Sequence, residues 1–446
     1  MGVKISGLTA KGATIADTDL VEVSQSAGGG LYTSRSVTGA NIKALVTDAN
    51  MTTSDITTND VSTAKHGFAP KAPNDTAKFL RGDGTWAVPS AGGLTNFTEA
   101  ETTAAPNGTV YVDSLTAAAS TTNADAAIRP KGTGAFILAI PDNTTTGGNK
   151  RGANAVDLQT SRANANQVSS GASSFSAGAN NRADGSYSTS TGQGCVSTGN
   201  WSLALQRANT ASGDSSISLG FNCTSTSDRS IAIGESCTAS AASTVSIGAS
   251  NTSSAAYAVA IGYLNTSNQS NAIAIGRSNI ANSQNGFAFG LQASVNSVIG
   301  RQSYASGQEG TPGDAQYSKF VLRNRTTDAT TTIVSTDSAT VAATTNQVIL
   351  SNQSAYRFKG TIIGKQSGST NTSAWDVDGL IVRGANAAAT TLVVGNVNVV
   401  SNVPAWGTPA LTADTTNGGL KVEVTGALAT NIQWTAVIET TEVIYA

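Results

Sequence analysis

Charge is scarce in this 446-residue sequence: Asp, Glu, Lys and Arg together make up 12% of it, against roughly 25% in an ordinary soluble domain. The formal net charge of -2 removes the electrostatic case for nucleic acid, which needs a basic surface to displace counterions, and for insertion at an anionic membrane. Aromatic residues amount to only 5%. The one histidine is His66, and the three cysteines, Cys195, Cys223 and Cys237, show no metal-ligand spacing. No metal, no cofactor and no necessary disulfide are therefore expected. Long apolar runs are also missing: "AFILAI" at 135–140 falls far short of a spanning helix, and "MGVKISGLTAKG" lacks the apolar stretch of a secretory signal. Synthesis in a cytoplasm without export by that route is expected. What remains is Gly, Ser, Thr, Asn and Ala, a composition that suits either disorder or stacked β-structure.

Periodicity decides between the two. Gly178, Gly192, Gly220, Gly234, Gly248, Gly262, Gly276 and Gly290 stand at multiples of fourteen residues, with Gln206 on the one missed beat. Before each beat come two residues separated by one, such as Ile231 and Ile233, Val245 and Ile247, or Phe287 and Phe289, a spacing that puts each pair on one face of a strand. The residue between them stays small: Ser218, Ala232, Ser246, Ala260, Ala274 and Ala288. Three residues after the beat the chain carries Asn181, Cys195, Asn209, Cys223, Cys237, Asn251, Asn265 and Asn279, and two later a run of Ala and Ser. Disordered sequence would not hold four positions in phase for so long. Each cycle therefore reads as one coil of a parallel β-solenoid, two short strands and two turns, with the glycines as structural turn residues and the asparagines as a ladder of amides. The cysteines read as small substitutes in that ladder. On this reading the aliphatic pairs fill the coil and the small-residue face packs on other copies of the chain, because one thin coil encloses too little apolar area to persist alone.

The words "SIAIGESCTAS" and "AIAIGRSNIANS", at this period, resemble the left-handed β-roll repeat of trimeric autotransporter adhesin heads. That resemblance implies a homotrimer. The export signal and C-terminal membrane anchor of those adhesins are not seen here, and the sequence ends in "WTAVIETTEVIYA", so a bacterial cell-surface adhesin is kept only as a further alternative.

Around the repeats the chain changes character. Leu20, Val21 and Val23 predict a strand and Ile42 to Val46 a short helical turn within a small module at 1–60. Residues 61–90, rich in Gly and Pro, carry Phe68, Phe79, Leu80 and Trp86 as isolated large residues, which three copies wound together would bury on a shared axis. The words "KHGFAPK" and "KFLRGDGTW", and in 91–165 "NFTEAETTAAPNGTVYVDSL" and "NADAAIRPKGTGAFILAIPD", resemble stem segments of tailed-bacteriophage tail fibers. The resemblance implies a trimeric virion component attached to other tail or baseplate proteins at its N-terminus and reaching outward at its C-terminus. The repeats occupy 166–300, and 301–316 reads as a linker or cap. In 317–446 seven to nine strand-like runs separated by turn residues predict a β-sandwich, jelly-roll-like, similar in pattern to fiber tips.

Few residues invite chemistry. Asp184, Asp214, Asp228 and Glu235 are the acidic residues of 171–300, and Asp228 and Glu235 would have to flank a glycosidic bond to act as a depolymerase pair; solvated turns are the alternative. Asp376 and Asp378 alternate on one strand face and are weighed as Ca²⁺ ligands against plain solvated carboxylates. His66 has no catalytic partner in sequence, "RGD" at 81–83 reads as chance, and "GTIIGKQS" departs from the phosphate-loop pattern. Trp375 and Trp434 fit alternating core patterns, whereas Trp406 lies in the loop "SNVPAWGTPA", either as an exposed indole for a sugar ring or as a plug anchoring the loop. The sequence thus predicts an all-β, elongated homotrimeric fiber without enzymatic activity. It would be part of a virion and adsorb through its C-terminal tip to a bacterial surface glycan or outer-membrane receptor. A tailspike-type polysaccharide depolymerase is the alternative.

Overall fold

The repeating interior decides how the chain is laid down. The computed structural model describes residues 20–26, 32–38, 40, 75–88, 97–102, 112–117 and 127–445 except 405. Ile42 to Val46, His66 and Phe68 lie outside the described residues. The chain divides into units 1–127 and 128–446.

In the first unit the described elements are antiparallel hairpins. Leu20–Ser26 pairs with Tyr32–Thr38, Phe79–Leu80 with Trp86–Ala87, and Phe97–Thr102 with Val112–Ala117. The strand expected from Leu20, Val21 and Val23 is present. The Arg81–Asp83 tripeptide forms the turn of the second hairpin, where the Asp83 carboxylate accepts from the Thr85 amide at 3.0 Å and its hydroxyl at 2.7 Å. These bonds, the hydroxyl's first, hold the Asp83 carboxyl below its ordinary range.

The second unit is all-β and built on a parallel β-solenoid. Nine five-residue strands, from Phe175–Ala179 to Phe287–Leu291, follow one another at the fourteen-residue step, each in register with the next: Ile231 opposes Val245, Ala232 Ser246, and Ile233 Ile247. Eight two-residue strands, Arg182–Ala183 to Ile280–Ala281, form a second parallel sheet on the other side of the coil. The stack begins before the repeats, because Phe136–Ile137 and Val156–Ser161 pair in parallel beneath Phe175–Ala179. It also runs past them: Gln302–Ser306, read from sequence as linker or cap, pairs in parallel with Phe287–Leu291.

The faces are the reverse of the sequence expectation. The small middle residues Ser218, Ala232, Ser246, Ala260, Ala274 and Ala288 are fully buried inside the coil. The flanking pairs point outward and are half-covered at most strands, with the same buried-centre pattern in Ile217–Phe221, Ile231–Glu235 and Val245–Ala249. The reason is width. Two strands joined by two tight turns leave an interior that admits Ala, Ser, Asn or Cys and no branched aliphatic side chain. The large apolar residues are thereby placed on the outer face.

Inside, the glycine beat and the asparagine ladder form one device. Each of the eight glycines has a positive φ, from +98° at Gly290 to +123° at Gly234. A Cβ on Gly262 would lie 2.0 Å from the carbonyl oxygen of Gly276 one rung on, so both conformation and space exclude a side chain. The missed beat, Gln206, keeps a positive φ of 84°. The freed carbonyls are then satisfied by the ladder. Asn265 Nδ2 donates to Ile261 O at 2.9 Å and Gly276 O at 2.8 Å, while its Oδ1 accepts from the Asn279 amide at 3.0 Å. Asn251 and Asn279 repeat the pattern. Cys237 Sγ makes a weaker substitute contact of 3.3 Å to Gly248 O, and all three cysteines are free and buried. Burial pushes the Cys195 thiol up.

Both ends of the coil are closed by buried ion pairs. Asp157, in register with the interior Ser176, is held by Arg151 at 2.7 Å and Arg162 at 3.1 Å. At the other end Arg301 pairs with Glu442 and donates to Ser303 and Ser318 at 3.1 Å each.

From Gln302–Ser306 the same sheet turns antiparallel and continues through the C-terminal strands. These are β1 (Ala315–Thr326), β2 (Thr331–Ile333), β3 (Val348–Ile349), β4 (Ser354–Gln366), β5 (Thr372–Arg383), β6 (Thr390–Val403), β7 (Gly407–Asp414), β8 (Gly419–Thr425) and β9 (Ile432–Ile444). Their pairings give the order β1-β9-β4-β5-β6 on from the solenoid. A second sheet joins β2, β3 and β7 to β8. Residues of both sheets share one core, including Phe320, Phe358, Trp375 and Trp434 from the first and Leu420, Val422 and Val424 from the second.

Asn265→Ala is expected to destabilise the solenoid by ~3 kcal/mol or more, since it strands two buried carbonyls and one amide at ~1–3 kcal/mol each. Asn265→Cys should cost less, because the chain itself places cysteine at three ladder positions. Thermal unfolding followed by circular dichroism ranks the two.

Candidate functional site

The outward face of the five-stranded C-terminal sheet carries two neighbouring open clefts. Alternation along β1, β9, β4 and β5 buries every second residue in the core and sets the others on this face. Cross-strand register then arranges them in rows. One row reads Lys319, Glu439, Lys359, Asp378 and Asn396 across β1, β9, β4, β5 and β6. Its charges alternate. Lys359 Nζ lies 3.6 Å from Glu439 and Asn396 Nδ2 lies 3.3 Å from Asp378 Oδ1, while Arg357 from the adjoining row holds Asp378 at 2.9 Å. Beside Glu439, Tyr317 has its phenol pushed up to about 12 by burial and by the hydrogen bond to that carboxylate.

A cleft of about 420 Å³ opens over this row, lined by Lys359, Thr361, Asp376, Asp378, Val437 and Glu439. Three carboxylates thus line one opening. A larger cleft of about 730 Å³ lies further along the same strands, lined among others by Arg325, Ile363, Lys365, Gln366, Asn431 and Gln433.

The residues singled out from sequence fall as follows. Trp406 is 5% exposed and packs edge-on against Trp434, with ring centroids 5.6 Å apart. The Asn402 side chain clamps its backbone, accepting from the Trp406 amide at 3.0 Å and donating to its carbonyl at 3.1 Å. The proposed receptor-binding indole is therefore the plug of its loop, and its face is turned into the core. Trp375 and Trp434 are core residues. Asp376 and Asp378 do share a face, but Asp378 is engaged by Arg357 and Asn396, and no group of three metal-ligating side chains occurs among the described residues.

On the solenoid, Asp228 lies in the turn before the strand Ile231–Glu235 and Glu235 is the last residue of that strand, whose ~13 Å of extended chain stands between them, beyond the ~9.5 Å limit for a cleaving pair. Asp214 and Asp228 instead cap turns, accepting the amides of Asn200 at 2.8 Å and Asp214 at 3.1 Å from the preceding rung. Asp184 pairs with Arg182. The "GTIIGKQ" segment is strand throughout, with no loop of the phosphate-binding kind. What sequence reading missed is the basic row of the larger cleft, whose cations have no ion pair among the described residues. Its members come from β1, β9 and β4, which are far apart in the chain, so only their alternation was visible.

Residues 211–234 and 268–293 match the YadA head domain repeat. The central region is thus a solenoid of YadA-head-like repeats. No curated protein matches the sequence. Among solved structures, a tailspike protein from the Acinetobacter baumannii bacteriophage Fri1, a capsular polysaccharide depolymerase, is similar over 77% of this chain and 75% of that one, with 9% identity and a TM-score of 0.19. The expectation that the chain is not an enzyme is corrected on this finding: with a polysaccharide depolymerase among the similar structures, that class is no longer excluded. A likeness of this depth assigns no catalytic role to any residue. No helix among the described residues is long and apolar enough to cross a membrane.

Trp406→Ala is expected to lower the stability of the C-terminal strands by ~3–5 kcal/mol, as for other buried aromatic truncations. Loss of the near-ultraviolet signal of the Trp406–Trp434 pair at lower denaturant checks this; an unchanged midpoint would return Trp406 to the surface.

Proposed function

We propose that the chain is a homotrimeric tail fiber of a bacteriophage, whose solenoid spaces a C-terminal β-sandwich away from the particle so that this tip adsorbs to a bacterial surface glycan. The observation that carries the reading is the outward apolar stripe. Ile217 and Leu219, Ile231 and Ile233, Val245 and Ile247, Val259 and Ile261, and Ile273 and Ile275 run along successive strands on one face, none of them fully buried. Continuous apolar stripes of this length are covered in soluble proteins, and a second and third copy of the same stripe would cover this one. The resemblance of the repeats to adhesin heads supports three copies. The stem words at 62–89 support a virion context, with the N-terminus toward other tail or baseplate proteins. The core shared by the two C-terminal sheets supports the sandwich.

Light scattering of the purified protein is expected to give three times the 44.8 kDa chain mass. Ile247→Lys, which sets a charge on the stripe, should shift that mass toward the single chain or leave the protein insoluble. A soluble, fully folded monomer of the unmodified chain would defeat the trimer.

A second reading rests on the 420 Å³ cleft, where Asp376, Asp378 and Glu439 converge. Polysaccharide cleavage needs two carboxylates flanking the bond. Asp376 is the one of the three for which no ion pair occurs among the described residues. If the tip cleaves host capsule, purified protein releases reducing ends from it and Asp376→Asn reduces the release at least ~100-fold. Absence of release leaves adsorption as the function.

A further inference from the structure

The two clefts of the C-terminal sheet treat charge oppositely. In the row Lys319, Glu439, Lys359, Asp378 each cation has an anion across the strand gap. In the row Arg325, Gln433, Lys365 an amide separates two cations. The adjoining row, Arg323, Thr435, Ile363, adds a third cation, a hydroxyl and an apolar side chain that is 49% exposed. No carboxylate lines the 730 Å³ cleft over these rows among the described residues. Neither Arg325 nor Lys365 has an ion pair there; Lys365 Nζ turns to the carbonyl of Ser369. Gln366, Ser367 and Asn431 complete the wall with further hydrogen-bonding groups.

The place of this row also matters. The last solenoid strand, Gln302–Ser306, pairs with β1 only over Tyr317–Lys319. Residues 320–326 of β1 therefore extend past the width of the coil, so the basic row lies to the side of the apolar stripe.

Uncompensated cations in one sheet row repel, and an unpaired pair flanking an amide is stabilised by an anion that both reach. The opening is wide, hydroxyl- and amide-rich, with the exposed Ile363 and the buried Ile432 on its floor. A bare phosphate would leave most of it empty, whereas a sugar carrying a carboxylate meets each group: the carboxylate lies between Arg325 and Lys365, hydroxyls meet Gln433, Asn431 and Ser367, and the ring's C–H face meets Ile363. We propose that this cleft binds a carboxylate-bearing glycan. The inference rests on the reading of this region as the adsorbing tip and names the class of glycan it takes.

Calorimetric titration of the full chain tests it with four probes: a galacturonate hexamer, a sialate oligomer of similar length, the neutral maltohexaose, and inorganic phosphate. At least one acidic oligomer is expected to bind, with maltohexaose and phosphate much weaker. Arg325→Gln and Lys365→Gln should each weaken that binding by about tenfold, the scale of one charge-assisted hydrogen bond. Lys319→Gln, in the balanced row, should leave it unchanged. Equal binding of maltohexaose, equal binding of phosphate, no binding of either acidic oligomer, or indifference to both cleft variants would each overturn the proposal. A parallel cell-binding assay separates the two levels. Unmodified protein that binds acidic oligomers but not host cells defeats the adsorption reading and leaves the cleft standing. Cell binding that survives in Arg325→Gln/Lys365→Gln at the unmodified level defeats the cleft as the adsorbing site.

Discussion

The width of the coil interior governs this molecule. A rung of fourteen residues with two strands and two tight turns brings opposite walls so close that Ala, Ser and Asn fill the space between them, as at Ala232, Ser253 and Asn251. Glycine at the turn lets the backbone carbonyl point inward, and the asparagine of the ladder meets it, so the interior is held by hydrogen bonds where a wider solenoid would use aliphatic packing. Those bonds are repeated rung after rung and orient every strand identically. Stability then adds along the stack as nearest-neighbour terms. The hydrophobic contribution that the interior cannot hold is displaced to the outer face, which is why covering that face and keeping the coil folded become one question.

The same sheet that carries the stripe carries the clefts. The interior column runs without interruption from Asp157 through Ser176 and its repeats to Ala288, Ser303 and Ser318. The outer column runs from Phe289 to Tyr304 and on to Tyr317. Where the coil ends, Arg301 and Glu442 fill the interior with a buried ion pair that also receives Gln316 at 2.9 Å. A buried pair of this kind contributes little net stability compared with apolar packing, but it is costly to misplace. It therefore fixes the register between the last rung and β9, and through β9 the alignment of every row on the cleft face.

The sequence made the period, the strands and the ladder legible because these are local and repeat. It also anticipated seven to nine C-terminal strands from alternating patterns and turn residues, and nine are present. It misassigned the inside and outside of the coil, since a spacing of two says which residues share a face and leaves open which face is enclosed; here residue volume decides, against hydrophobicity. It passed over β7, where Pro409 and short polar side chains mask a strand that pairs on one edge only and carries a register shift. Trp406 could be read either as an exposed indole or as a plug because Pro and Gly bound its loop, and Asn402 folds that loop back over Trp434. The basic row escaped for a topological reason: β9, the last strand, inserts between β1 and β4, and no local pattern announces that Arg325 and Lys365 flank Gln433.

Shallow polar clefts such as these offer a glycan a few hydrogen bonds and one apolar contact, the makings of a weak single site. If the chain is the trimeric fiber proposed above, that weakness is compatible with firm attachment, because once one tip is bound the others see the same surface at high effective concentration. In that case each contact would also stay reversible. A deep, tight pocket would forfeit that reversibility. The geometry of the C-terminal sheet, broad rows of solvent-facing side chains under open clefts, fits the first regime. On this view the solenoid's outward stripe and the tip's modest clefts answer one requirement: several identical weak sites, held rigidly together.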